Sequence, residues 1–297
     1  MEIRIGEELA GKTVKAVLKG HLGLSSSLLG ALKRREGGIL RNGRPVFVSA
    51  LVQAGDLLQV DLSDPPNPDP VPPVPMDLDI LYEDEFLLVI NKGAPLPVHR
   101  SSFAPEEPSL ANGLAAYLGP SFTFHPVNRL DRGTTGVMAV AKSGYIHSLL
   151  QRQLHTEEFH REYLAVSLGA PSPAAGLIDL PIGRREGSPI QRQIRPDGLP
   201  ARTEYQVLEE AGPFCLLRLV PRTGRTHQLR LHLFAIGHPL AGDWLYGTED
   251  RRLIGRPALH SARLELVHPV TGRLLSLSAP LPADMAALLA AGPPETL

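Results

Sequence analysis

Asn128-Arg129-Leu130-Asp131-Arg132-Gly133-Thr134-Thr135-Gly136, running into the apolar stretch Val137 to Ala141, is the segment on which the chain turns. A carboxylate stands between two arginines, after one apolar residue and before a Gly/Thr turn. Gly133 and Gly136 open backbone conformations closed to other residues, so the segment reads as a tight loop feeding a strand. Catalytic side chains concentrate on loops carried by a rigid strand. A carboxylate with two guanidiniums beside it suits a nucleophile or a group working next to phosphate. A surface ion network accounts equally well for the loop taken alone.

The 297 residues, 43% of them hydrophobic, suffice for one large domain and a small one. No run approaches the roughly 18 uncharged apolar residues of a membrane span, and Met1-Glu2-Ile3-Arg4 has no signal-peptide pattern, so a cytoplasmic protein is expected. The single cysteine, Cys215, lies in the apolar run Phe214 to Val220 and reads as a core residue. Net charge is −1, yet the charges are segregated. Residues 1–60 hold nine Lys/Arg against five Asp/Glu, and Asp61 to Glu85 hold eight carboxylates and no basic residue. Basic character returns at Arg184, Arg185, Arg192, Arg195 and Arg202, and again from Arg218 to Arg230. Such a pattern fits a polyanion tracked along one face.

Residues 1–62 read as a compact unit. Val14, Val17 and Leu18 have helical spacing, and Ser25 to Ser27 offer N-caps for a second helix that ends in Lys33, Arg34 and Arg35. Asn42-Gly43 between Ile39 and Val48 predicts a hairpin, and Leu57 to Leu62 a closing strand. Two helices and a small sheet with cations at a helix end make an RNA-backbone grip. The outline resembles the small αL RNA-binding module named after a bacterial small-subunit ribosomal protein. Seven prolines between Asp64 and Pro75 exclude helix and central strand, so residues 63–76 are expected to be an extended linker. From Asp77 to 297, strand-rich hairpins interleave with a few helices. An amphipathic helix is predicted over Thr226 to Ile236 and a terminal one over Pro282 to Ala290. The fold class expected is α+β with a mainly antiparallel mixed sheet.

Four segments of this larger part then fall into one order. Asn91 to His99 comes first, then Arg129 to Gly136, then Glu162-Tyr163-Leu164-Ala165-Val166. Last come Thr223-Gly224-Arg225-Thr226-His227-Gln228-Leu229-Arg230-Leu231-His232, Gly237 to Asp243, and Tyr246-Gly247. The combination resembles the RluA-type pseudouridine synthases over residues 79 to about 281. Gly93 and Pro95 depart from the usual first motif, Asn128 stands where many members have histidine, and Arg161 where lysine is common.

The resemblance implies an isomerase that detaches uracil from a uridine in RNA and rejoins it through carbon-five, with neither cofactor nor metal. It implies Asp131 as catalytic aspartate, Tyr163 packed against the uracil with a part in proton removal open to it, and Arg225 paired with Asp131. Leu229 would be an apolar wall of the base pocket, and Asn128, Arg129 and Arg132 contacts to RNA. Whether Asp131 attacks the sugar or the ring stays open. The chemistry agrees: a uridine inside folded RNA must be flipped out at a cost of a few kcal/mol, which phosphate contacts and base stacking offset. His227 and His232, five apart, sit on different helix faces and do not suggest a metal site. No Gly-rich nucleotide loop and no Gly-x-Ser-x-Gly elbow is present. The partner expected is RNA, with large-subunit ribosomal RNA ahead of transfer RNA, no membrane, and a monomeric protein. The competing class is a catalytically silent RNA-binding or ribosome-assembly factor that keeps the fold; it predicts damage at the nucleophile motif, which is intact.

Overall fold

The computed structural model describes residues 1–290 except 66, 68, 101–103, 120, 155, 249, 251 and 252; the end of the expected C-terminal part, residues 291–297, lies outside the described residues. Near the N-terminus, β1 (Glu2–Arg4), α1 (Val14–Gly20), α2 (Ser26–Leu32), β2 (Ile39–Arg41), β3 (Arg44–Pro45) and β4 (Leu57–Val60) form a sheet in the order β1-β4-β2-β3 with two helices. Thr13 and Ser25 cap α1 and α2 through side-chain bonds to Ala16 and Leu28 N–H. Asn42 and Gly43 both take positive φ, 52° and 77°, as a tight hairpin turn demands.

The larger sheet begins with β5 (Ile80–Glu83) and β6 (Leu87–Lys92), followed by α3 (Leu110–Leu118), β7 (His125–Pro126), β8 (Thr135–Ala141) and α4 (Gly144–Gln153). Next come β9 (Phe159–Leu168), β10 (Ala175–Asp179), the β11 (Ile182–Arg184) and β12 (Arg192–Ile194) hairpin, β13 (Arg202–Ala211) and β14 (Phe214–Pro221). The described elements end with α5 (Gln228–Ala235), β15 (Leu259–Val267), β16 (Leu274–Ser278) and α6 (Ala283–Ala290). The order is β10-β13-β14-β9-β15-β8-β6-β5, with β16 added to β15 and β7 to β8. Among the described strands every pairing is antiparallel except β15 with β8. That parallel contact sits where the functional loop enters the sheet. Gly136 takes φ 109° there, and a Cβ on it would lie 2.2 Å from Ser261 O, so glycine alone fits.

Alternation along the central strands splits the core. Leu87 and Val89 of β6, with Val137, Ala139 and Ala141 of β8, face one side, where they join Ile146 and Leu150 of α4 and the apolar residues of α1 and α2. Leu88, Ile90, Met138 and Val140 face the other, with Leu110 and Leu114 of α3 and Leu229 and Leu233 of α5. Each such side chain contributes about 1.5–3 kcal/mol when fully buried. Tyr145 Oη donates to Leu22 O at 2.9 Å and the Arg152 guanidinium donates to Gly23 O, tying α4 to the N-terminal helices.

Two expectations change. The described residues of the Pro-rich stretch form neither helix nor strand, and the stretch is strapped down: Asp64 accepts from Gly144 N–H at 2.8 Å and meets His125 Nε2 at 2.7 Å, and Asn112 Nδ2 donates to Pro72 O. The helix expected to be amphipathic over 226–236 is instead buried from Gln228 through Leu233, because strands and loops cover it on nearly every side.

Candidate active site

The functional loop leaves α3 and β7 and returns as β8. Leu130 is buried, and the turn closes through Thr134 N–H donating to Asp131 O at 3.0 Å. From beneath, Lys92 Nζ donates to Gly93 O and Leu96 O at 2.8 and 2.9 Å and reaches Arg132 O at 3.4 Å. Arg256 Nη1 reaches Gly133 O at 3.3 Å while its Nε and Nη2 hold Asp284 of α6 at 2.8 Å each. Burial pushes Lys92 down to about 7, with Asp131 acting against that. Lys92 is therefore a buried strut under the loop, its Nζ tied to three carbonyl oxygens.

Asp131 projects from this platform into a cleft of about 700 Å³ that Asn128 to Asp131, Arg161, Tyr163 and the segment 223–230 border. Its Oδ2 accepts from Arg230 Nη1 at 3.2 Å and lies 4.0 Å from His227 Nε2. Arg230, with only 6% of its side chain exposed, gives Nε and Nη2 to the fully buried Asp243, both at 2.7 Å. The two carboxylates outweigh burial and raise the guanidinium above its usual range. One rigid fork thus holds two carboxylates, one buried and one open to the cleft. The Tyr246 ring packs 5.4 Å from Arg230 Cζ.

His227 precedes α5 with a left-handed φ of 58°. Its Nδ1 is 2.9 Å from Tyr246 Oη, which accepts the Arg192 N–H. The tautomer with its proton on Nε2 accepts the phenol proton at Nδ1 and turns its own N–H toward Asp131, 4.0 Å away. Burial pushes His227 below its usual range, with Asp131 opposing.

Tyr163 of β9 is 6% exposed and lines the cleft together with Leu229 of α5 and Leu259 of the neighbouring β15. Burial pushes its phenol up, against smaller opposite effects of Arg161 and Ser261. A neutral phenol ring offers a stacking wall.

Several expected roles move. The cation on Asp131 is Arg230, not Arg225. Arg225 lies on the turn before α5, with its Nε donating to Pro200 O at 3.1 Å, whereas Arg230 is one helical turn inward on the side facing the loop. Both belong to the same motif. The discriminating signals were the leucines flanking Arg230, which mark it as buried, and Asp243 downstream as its counter-charge. Asn128 is not free for RNA: its Oδ1 accepts Ala139 N–H at 2.9 Å and its Nδ2 reaches Val137 O at 3.4 Å, pinning the loop to β8. Arg132 is held by Glu107 at 2.5–3.1 Å. Arg35 is spent on Asp61 and Ser63, so Lys33 and Arg34 are the exposed cations left at the end of α2. Arg129 is exposed at the rim and Leu229 borders the cleft. His232 is a core histidine bonded to Thr203 Oγ1 and Leu180 O. Among the described residues no group of three or more His, Cys, Asp or Glu is placed to hold a metal ion.

The fold agrees with that of known proteins. The sequence model described as RNA pseudouridylate synthase matches residues 86–235, half of the chain. The protein belongs to the RNA pseudouridylate synthase family. Within it, the chain is an RluA-type synthase and hence an isomerase. It is 41% identical over 275 residues to the uncharacterized RNA pseudouridine synthase YjbO of Bacillus subtilis (strain 168), covering 91% of this chain and 96% of that one. It is 39% identical over 233 residues to the ribosomal large subunit pseudouridine synthase D of Escherichia coli O6:H1, covering 73% and 71%. The solved structure of human RNA Pseudouridylate Synthase Domain Containing 1 superposes with a TM-score of 0.60 at 27% identity, covering 74% of this chain and 90% of that chain. Among the described residues no helix is long and apolar enough to cross a membrane.

Proposed function

We propose that the chain converts uridine to pseudouridine in large-subunit ribosomal RNA, with Asp131 as nucleophile on an everted nucleotide. The observation that carries this reading is the Asp131 carboxylate, held at the floor of the cleft by Arg230 and Asp243. Asp131 remains 30% exposed while its anchors are buried, so it is both oriented and accessible. Substrate choice follows the synthases that act on the ribosomal large subunit, at 39–42% identity.

The reaction conserves atoms and electrons. The C1′–N1 bond breaks as Asp131 bonds to one fragment, the freed uracil turns, C1′ joins carbon-five and the bond to Asp131 is released, and the proton lost from carbon-five is matched by one taken up at N1. No co-reactant is demanded by that balance, and none is assigned. Tyr163 and Leu229 confine the uracil to rotation in its own plane. Arg230 keeps the carboxylate aimed and has no proton to give at neutral pH. Residues 1–62 act as the RNA-binding module through Lys33 and Arg34, residues 63–76 as a docked linker and residues 77–297 as the catalytic part, in a monomer.

Purified protein incubated with ribosomal RNA from cells lacking the gene should restore the missing pseudouridines, and Asp131→Asn should not. Wild-type turnover by Asp131→Asn refutes the assignment. Restoration only in transfer RNA would replace the substrate and leave the nucleophile standing.

A further inference from the structure

Arg161 is the cation of the cleft that the arrangement above leaves unused. It lies on β9 two residues before Tyr163 and so faces the same side of the sheet, while Glu162 between them points away and pairs with Arg218 at 2.6 Å. The guanidinium packs 6.0 Å from the Phe159 ring. Gly224 borders it so closely that a Cβ there would lie 3.4 Å from Arg161 Nη1. Arg161 Nε is buried and makes no hydrogen bond, and the guanidinium has neither a hydrogen bond nor a carboxylate partner among the described residues. The other cleft arginines contrast with it. Arg230 is saturated by two carboxylates and Arg225 donates to Pro200 O. Arg129 is unpaired but exposed at the rim.

A guanidinium held in place yet unsatisfied is an incomplete site. Five donors in a planar fork match two oxygens of one phosphodiester, and an unpaired buried donor is costly unless a ligand fills it. We infer that Arg161 binds the backbone phosphate flanking the everted uridine, fixing the nucleotide between Tyr163 and Asp131 whatever its sequence neighbours. Gly224 supplies the room for that fork. The inference rests on the Asp131 cleft being the catalytic one. Its failure is separable, because the salt dependence of binding is read without turnover.

The test uses full-length protein and a fluorescein-labelled nine-residue oligouridylate, with dissociation constants measured from 50 to 300 mM KCl. Wild type, Arg161→Gln, Arg161→Lys and Arg263→Gln are compared, the last removing an arginine on β15 that is paired with Glu265. Loss of one phosphate contact to single-stranded RNA lowers the slope of log affinity against log salt by about 0.7 and weakens binding about tenfold or more. Arg161→Gln is expected to show both. Arg161→Lys should keep the slope with part of the affinity, and Arg263→Gln should match wild type. In single-turnover reactions on bulk RNA, the concentration giving half-maximal rate should rise for Arg161→Gln more than the maximal rate falls. Equal slopes for wild type and Arg161→Gln overturn the proposal. So does a loss confined to the maximal rate with unchanged binding, which would make Arg161 a group acting through Tyr163. Matching unfolding midpoints for Arg161→Lys and wild type exclude a folding defect as the cause.

Discussion

Replacing Arg230 by lysine separates the two arginines of the motif. The substitution keeps one positive charge but replaces a fork that makes three bonds, two to Asp243 at 2.7 Å and one to Asp131 at 3.2 Å. A single ammonium cannot span both carboxylates in that geometry. Asp243 has no solvent access to fall back on, so the ammonium stays with it and Asp131 loses its hold. A charge-assisted bond is worth about 1.5–3 kcal/mol, so losing one to Asp243 lowers stability by about 2–3 kcal/mol. Losing the one to Asp131 in the transition state, at about 1.36 kcal/mol per decade, slows turnover about 10- to 100-fold. Arg225→Lys, by contrast, removes one bond to a carbonyl on a loop and should cost less than about threefold in rate. Urea unfolding reads the first quantity and single-turnover pseudouridine formation in bulk RNA the second. A wild-type rate for Arg230→Lys together with a tenfold loss for Arg225→Lys would refute the pairing and return Arg225 to the nucleophile.

Three further outcomes follow from the same contacts. Lys92 is displaced from 10.5 to about 7, so between those pH values the unfolded chain holds one proton more than the folded one; stability relative to Lys92→Met should rise with pH across that window, by about 1 kcal/mol per unit, and a difference that falls or stays flat in urea titrations contradicts a neutral Lys92. Asn128→Leu leaves Ala139 N–H without its partner, while Val137 O keeps the Ser261 hydroxyl, and should cost about 1–3 kcal/mol, with an unchanged salt slope for RNA binding; a reduced slope would restore Asn128 as an RNA contact. Deletion of residues 1–62 removes the acceptors of Tyr145 and Arg152 and bares one side of α4. The remaining chain should melt about 5 °C or more below the full one, and equal melting temperatures would mean the junction contributes nothing.

What was legible in the sequence has a common physical origin. Strand alternation at Leu87 to Ile90 and Val137 to Ala141 is written locally, because each side chain's face follows from its position in the pleat. The caps at Ser25 and Ser143 are equally local. The Asp131 loop was legible through its glycines. What was missed spans the chain. Arg230 meets Asp131 across 99 residues, and only the flanking leucines and the downstream Asp243 set Arg230 apart from Arg225 in the sequence. Arg35, Arg132 and Asn128 look like free polar groups in the sequence and become structural through Asp61, Glu107 and the β8 backbone. The β11–β12 hairpin escaped prediction because its strands have three residues each, too short to show a period.

The placement of α4 joins the two parts of the chain. His147, Gln151 and Leu154 border the cleft, while Tyr145 and Arg152 on the same element bond to the N-terminal helices. Gln151 Nε2 donates to Val127 O at 2.9 Å, immediately before the loop that carries Asp131. A module held by one face of a helix whose other face borders the catalytic cleft does more than add affinity. On the function proposed above, these contacts would set where RNA held by Lys33 and Arg34 enters relative to Asp131. The strapped linker, with Asp64 on Gly144 N–H at the first turn of α4, removes the slack that a free proline spacer would allow. Affinity supplied by a flexible tether depends on linker length, whereas affinity supplied by a docked module depends on register. The linker contacts make residues 1–62 a docked unit, so on the proposed function target choice would depend on the cleft and on the distance from α2 to Asp131 together.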